Sequence, residues 1–204
     1  MIPQMLSSAS IQIHFWIITL FASLLTSGSL AVFTFANNLQ SIPLALVGVS
    51  FAVAAFPRLS ASVADNDMRE FARIVSRTAG RILYFVIPLS VIFILLRAQI
   101  VRVVLGAGVF DWEDTVMTYQ VLGFLALSLF AQSLLPLFVR AFYSMEDTKT
   151  PFFIALFAQC VNVIIILFTL DSWGVYGLAF AFSIASMVQI VLLGSILRHR
   201  LHTF

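Results

Sequence analysis

FTFANNLQSIPLALVGVSFAVAAFPRLSAS, residues 33–62, is the stretch on which the fold turns. From Ser41 to Phe56 it carries no charge, and Arg58 is the single cation near its end. Crossing a hydrocarbon core of about 30 Å takes about 20 apolar residues at about 1.5 Å rise each. Only helices and closed barrels satisfy every backbone group in that medium. The stretch therefore reads as a membrane-crossing helix. Pro43 lies inside it and is the expected bend or hinge, because proline removes a ladder hydrogen bond. Asn37, Asn38 and Gln40 precede the proline, where a helix facing lipid would carry apolar groups.

The rest of the composition agrees. The chain has 204 residues, 61% hydrophobic and 10% charged, where a soluble domain has about 25% charged residues. Mean hydropathy is +1.06. The expected fold class is an all-α membrane protein, since the short alternating strands of a barrel are missing. Cys160 is the one cysteine, which excludes an intrachain disulfide. The opening MIPQMLSSAS has no basic region and is not read as a signal peptide.

Six apolar segments stand out, at about 3–25, 30–59, 78–96, 115–143, 151–170 and 175–197. The expected architecture is a bundle of six transmembrane helices forming one membrane domain. Residues 1–62 hold the first two helices, 63–81 a cytoplasmic amphipathic link, and 82–204 four further helices. Pro88 and Pro136 fall inside the third and fourth spans and add two expected bends. Arg58, Arg69, Arg73, Arg77, Arg81, Arg140, Lys149, Arg198 and Arg200 fall on one side of such a bundle. Only Arg97 and Arg102 fall on the other. The positive-inside rule makes the first side cytoplasmic, with both termini there, in a plasma membrane.

In the link, Arg69, Arg73, Arg77 and Arg81 recur every four residues, and Phe71, Ile74, Val75, Thr78 and Ile82 take much of the opposite side. That pattern predicts a short amphipathic helix on the cytoplasmic leaflet, attracted to anionic headgroups, capped by Asp65 or Asn66 and running into the third span. RAQIVRVV, residues 97–104, predicts an interfacial helix on the outer face. Asp111, Glu113 and Asp114 suit the first turn of the fourth span and are not read as a metal site. Thr150 reads as the N-cap of the fifth span, with Pro151 as its first residue. The intramembrane polar residues His14, Gln132, Gln159, Asn162 and Gln189 are read as helix-to-helix packing rather than cavity lining. No triad, phosphate-cradling loop or metal-ligand spacing appears, so neither an enzyme nor a cofactor is expected, and nothing suggests nucleic acid.

Three stretches together resemble one family. FANNLQSIPLALVGVSFAVAAFPRLS (residues 35–60), LRAQIVRVVLGAGVFDWEDT (96–115) and FYSMEDTKTP (142–151) are similar to segments of the MurJ (MviN) lipid II flippases of the MOP superfamily. The resemblance covers nearly the whole chain and matches the seventh to twelfth of the family's fourteen or so spans. It implies a partial MurJ-like fold and alternating-access transport of the lipid-linked peptidoglycan precursor through a cationic cavity. It also implies partners: that precursor, membrane lipids, and a separately encoded first lobe or a second copy. On this reading Arg58 is the phosphate-side cation, Asn37 and Asn38 contact sugar or peptide, and Pro43 is the hinge. The plainer roles remain open: Arg58 as an anchor snorkelling to headgroups, and the two asparagines as glue between helices. Asn38 stands where the family often has Arg, and Ala61 where another Arg often follows. Two other functions compete: export of a different lipid-linked oligosaccharide or of a drug cation, and a non-transporting membrane protein that only packs against a partner. Acidic residues in the spans would favour drug export, and the predicted spans contain none.

Overall fold

A computed structural model describes residues 16–21, 25, 28–105 and 112–203. Among these residues all regular structure is helical. After a turn of helix at 16–21 come α1 (Ser29–Pro43), a π-helical turn (Leu44–Val49) and α2 (Ser50–Ala64). Then follow α3 (Met68–Leu95), α4 (Arg97–Leu105), α5 (Trp112–Leu127), α6 (Leu129–Ser144), α7 (Lys149–Trp173) and α8 (Val175–Thr203). Four rods are long and apolar enough to cross a membrane: Ser29–Ala64, α3, α7 and most of α8. The α5–α6 pair, bent by 50°, makes a fifth. Most of the first expected span, with His14, lies outside the described residues.

No proline ends its helical rod among the described residues. Pro43 has no N–H to give, and the ladder answers by widening into the π turn that follows it, so the rod continues for 36 residues. Pro57, which the sequence reading passed over, also lies within a helix that continues beyond it. Pro88 lies inside α3 and Pro136 inside α6. The 50° bend falls at Ser128, eight residues before Pro136. Gly48, in the π turn, meets α6 directly. A Cβ there would lie 2.6 Å from the Ser133 carbonyl oxygen and 2.9 Å from its Cα.

The amphipathic link runs into the third span as expected, but its apolar face packs on neighbouring helices and not on the leaflet. Residues 68–81 are the first half of α3, which runs unbroken into the span. Phe71, Ile74, Val75 and Ile82 are buried against α2 and α6 within the protein, while the four arginines stay exposed. The cap is Asp67 rather than Asp65 or Asn66. Its carboxylate accepts from the Glu70 N–H at 2.9 Å. Asn66, at φ 55°, makes the left-handed turn that ends α2. Likewise α7 begins at Lys149, and Asp147 rather than Thr150 serves its first turn. The Asp147 carboxylate accepts from the Thr150 N–H at 3.0 Å and Oγ1 at 2.7 Å. Arg200 of α8 closes on it at 2.6 Å, tying the end of α8 to the α6–α7 turn.

Two apolar cores fill the bundle end to end. One gathers Ala52, Leu59, Phe71, Ile82, Leu137 and Leu193. The other gathers Val32, Leu39, Val101, Val121, Ile166 and Leu178. The α1–α2 rod, the α5–α6 pair and α8 each pass from one core to the other. Between the cores all three carry buried polar residues, among them Gln40, Ser128, Gln132 and Ser183.

Gly48→Val should lower stability by about 1–3 kcal/mol, because α6 backbone cannot yield to a side chain. Thermal denaturation in detergent micelles checks it. Burial pushes the Asp147 carboxyl up, but the Thr150 hydrogen bonds and the Arg200 charge outweigh it and hold the group below its ordinary value. Its contribution is therefore complete above the unfolded pKa of about 3.9 and fades as pH falls through the lower folded value. Asp147→Asn should flatten the acid limb of the melting temperature below about pH 4.

Candidate functional site

The bend at Ser128 frees backbone carbonyls in the middle of the bundle, where lipid offers no donor. Three elements answer it. The Ser128 N–H and hydroxyl donate to the Leu125 carbonyl at 3.0 and 2.9 Å. Gln40 Nε2, from α1, reaches the same oxygen at 3.2 Å. The Ser183 hydroxyl, from α8, donates to the Phe124 carbonyl at 2.8 Å and lies 3.1 Å from Ser128 Oγ. Gln132 Nε2 completes the set, donating to Ser128 Oγ at 2.7 Å. Gln40 Oε1 and Ser133 Oγ remain buried with no hydrogen-bond partner among the described residues. A cleft of about 380 Å³ adjoins this node, bordered by Leu44, Gln132, Tyr143, Ser186 and Gln189. Gln132 and Gln189 both border this mostly apolar cleft. Ser128 and Ser183 were not legible in sequence, because isolated serines in apolar runs give no signal without the bend between them.

The residues singled out from the sequence fall at separate places. Asn37, half-buried, and Asn38, exposed, border a small cleft of about 170 Å³ with Ile18, Thr19 and Thr34. Thr34, Asn38 and Ser41 form a polar stripe on the uncovered face of α1. The Thr34 and Ser41 hydroxyls turn back to the carbonyls of Leu30 and Asn38 at 2.7 Å each. Pro43 is buried just beyond, where the π turn begins. Arg58 lies 20 residues beyond Asn38, about 30 Å along the rod. Its side chain is 66% exposed and approaches Glu70 at 3.5 Å. Glu70 also holds Arg73, at 2.9 Å. Among the described residues, the cleft that Asn37 and Asn38 border does not reach Arg58. In α7, Asn162 Nδ2 donates to Gln159 Oε1 at 3.4 Å along the same helix, and Asn162 Oδ1 is buried without a partner. Arg140, near the end of α6, keeps one buried guanidinium nitrogen unpartnered among the described residues.

The profile of the family described as "Lipid II flippase MurJ" matches residues 1–204. The chain belongs to the MurJ family. The probable lipid II flippase MurJ of Rhizobium meliloti (strain 1021) is 28% identical over 98% of this chain and 37% of its own length. That of Thermotoga maritima is 30% identical over 84% of the chain and 35% of its length. The chain therefore spans a little over a third of these MurJ relatives. A solved structure of lipid II flippase MurJ in an inward closed conformation superposes with a TM-score of 0.86 at 26% identity. The match covers 95% of this chain and 41% of that one. A MOP superfamily transporter from Pyrococcus furiosus shares the fold, with a TM-score of 0.79 at 14% identity. The expected MurJ-like helical membrane fold is thus the observed one.

Ser183→Val removes the donor to the Phe124 carbonyl and leaves that oxygen bare in the bundle. A loss of about 0.6–1.7 kcal/mol is expected, the range of interhelical hydrogen bonds in membrane proteins. Thermal unfolding of the variant in micelles checks it.

Proposed function

We propose that this chain forms one lobe of a flippase that carries the lipid-linked peptidoglycan precursor, lipid II, across the plasma membrane by alternating access. The observation that carries this reading is the uncovered polar face of α1. Other outward faces of the bundle are apolar: α7 presents Phe153, Phe157, Ile164, Leu167 and Phe168. Such a surface suits hydrocarbon. The stripe Thr34–Asn38–Ser41 does not, since an amide in hydrocarbon loses its water without gaining a partner. It is one wall of a hydrated passage in which Asn37 and Asn38 meet the sugar or peptide head group. Arg58, at the far end of the same rod, receives the pyrophosphate at the cytoplasmic mouth. Glu70 holds the guanidinium there while leaving most of it free.

The opposite wall comes from the remainder of a longer protein, from a separately encoded first lobe or from a second copy. The π turn after Pro43 is the hinge. An irregular ladder between two rigid rods is where rocking of one bundle against another would be absorbed. Both termini are cytoplasmic, on the face that carries Arg58 and Arg200. This reading makes the protein a transporter and not a catalyst.

The test is flipping of labelled lipid II in vesicles holding the chain alone and the chain with a MurJ first lobe. Activity in neither overturns the proposal. Arg58→Ala should abolish complementation of a flippase-depleted strain, and Asn38→Leu should lower it at least about tenfold, the scale of one lost polar contact. Membrane insertion should be unchanged in both. Normal growth of both variants would return Arg58 to a headgroup anchor and the asparagines to packing.

A further inference from the structure

At the end of the bundle opposite Arg58, a cleft of about 600 Å³ opens between the end of α3, α5 and the α7–α8 junction. That volume is in the range of sites that hold small molecules. Arg97, Gln120, Trp173 and Tyr176 border it, with Ile94 and Leu127 as apolar wall, and among the described residues no carboxylate lines it. The Arg97 side chain lies flat across α5 at Gly123. A Cβ added there would fall 2.6 Å from Arg97 Nη1 and 3.2 Å from its Cδ, and only Arg97 atoms crowd it. The guanidinium carbon is 5.9 Å from the Tyr119 ring centre. Among the described residues no carboxylate is paired with Arg97. Phe124 stiffens the wall, with Trp173, Tyr176 and Phe180 rings 6.2–6.4 Å away. On the same helices α4 and α5, Arg102 lies over the Trp112 ring at 5.0 Å, a cation and an indole of the kinds enriched at membrane interfaces.

We propose that this cleft binds the phosphodiester headgroup of an anionic glycerophospholipid from the leaflet at this end of the bundle. Arg97 is the anion-binding group. The guanidinium fork suits two phosphate oxygens, and the Trp173 indole, the Tyr176 hydroxyl and the Gln120 amide supply further donors. Ile94 and Leu127 meet the glycerol and upper acyl carbons. Charge selects this lipid over the flippase cargo: one cation balances the single charge of a phosphodiester, whereas a pyrophosphate would leave charge uncompensated in an apolar cleft. The site does not depend on the transport reading.

The experiment is native mass spectrometry of the delipidated full chain, titrated with phosphatidylglycerol, diacylglycerol and undecaprenyl pyrophosphate. Phosphatidylglycerol should be retained and diacylglycerol should not. Arg97→Gln should weaken phosphatidylglycerol binding about tenfold or more, as expected for a lost charge-assisted contact, and Arg97→Lys should recover part of it. Gly123→Ala displaces only Arg97 and should weaken binding with helix content unchanged by circular dichroism. It decides the matter if Arg97→Gln fails to fold. Wild-type affinity in the folded variants overturns the proposal. So does undecaprenyl pyrophosphate displacing phosphatidylglycerol at equal or lower concentration.

Discussion

A helix bent inside a bilayer must find partners for the carbonyls it releases, and the structure is arranged around that requirement. The break at Ser128 exposes the carbonyls of Phe124 and Leu125, and no water stands in hydrocarbon to take them. Gln40 from α1, Ser183 from α8 and the Ser128 hydroxyl do so instead. This couples three rods at one level, between two apolar cores that have no specific register of their own. Apolar packing in lipid is weakly directional, since lipid tails are as apolar as leucine. Hydrogen bonds to particular carbonyls are directional, and they fix how α1, α5, α6 and α8 meet.

The same level of the bundle holds its least regular backbone. The π turn after Pro43 carries Gly48 against the α6 backbone at Ser133, five residues beyond the bend. Irregular segments are tolerated at membrane depth where protein covers them or where they line a cavity. Here both conditions are met: Gly48 is pressed on α6, while Leu44 borders the cleft that Gln132 and Gln189 share. Two spare buried acceptors, Gln40 Oε1 and Ser133 Oγ, belong to this region as well.

The two ends of the bundle are finished differently. At the Arg58 end, charges pair with each other: Glu70 with Arg58 and Arg73, and Asp147 with Arg200. At the opposite end the arginines lie on aromatic rings, Arg97 over Tyr119 and Arg102 over Trp112. The first set joins helix to turn and helix to helix. The second leaves both guanidinium groups without an ion-pair partner among the described residues.

Sequence alone was enough for the membrane, the helical class and the family, because each rests on properties that survive without coordinates: long uncharged apolar runs, sparse cations in blocks, and motifs at fixed spacing. It also located the amides Asn37, Asn38 and Gln40 before Pro43 and the blocks of cations. Caps and bends were legible only approximately. Asp65, Asn66 and Asp67 are all fit to cap a helix, and the one that does is chosen by where α2 turns left-handed at Asn66. Three prolines within the predicted spans advertised kinks, but the helices continue through them, and the 50° break falls at a serine whose freed carbonyls α1 and α8 satisfy. The link arginines looked like a surface helix because periodicity marks an apolar face without saying what covers it. Whether Phe71 and Ile74 meet headgroups or α2 and α6, and whether Arg58 shares a site with Asn38, depends on contacts between segments far apart in the chain. Those contacts exist only once the helices have packed.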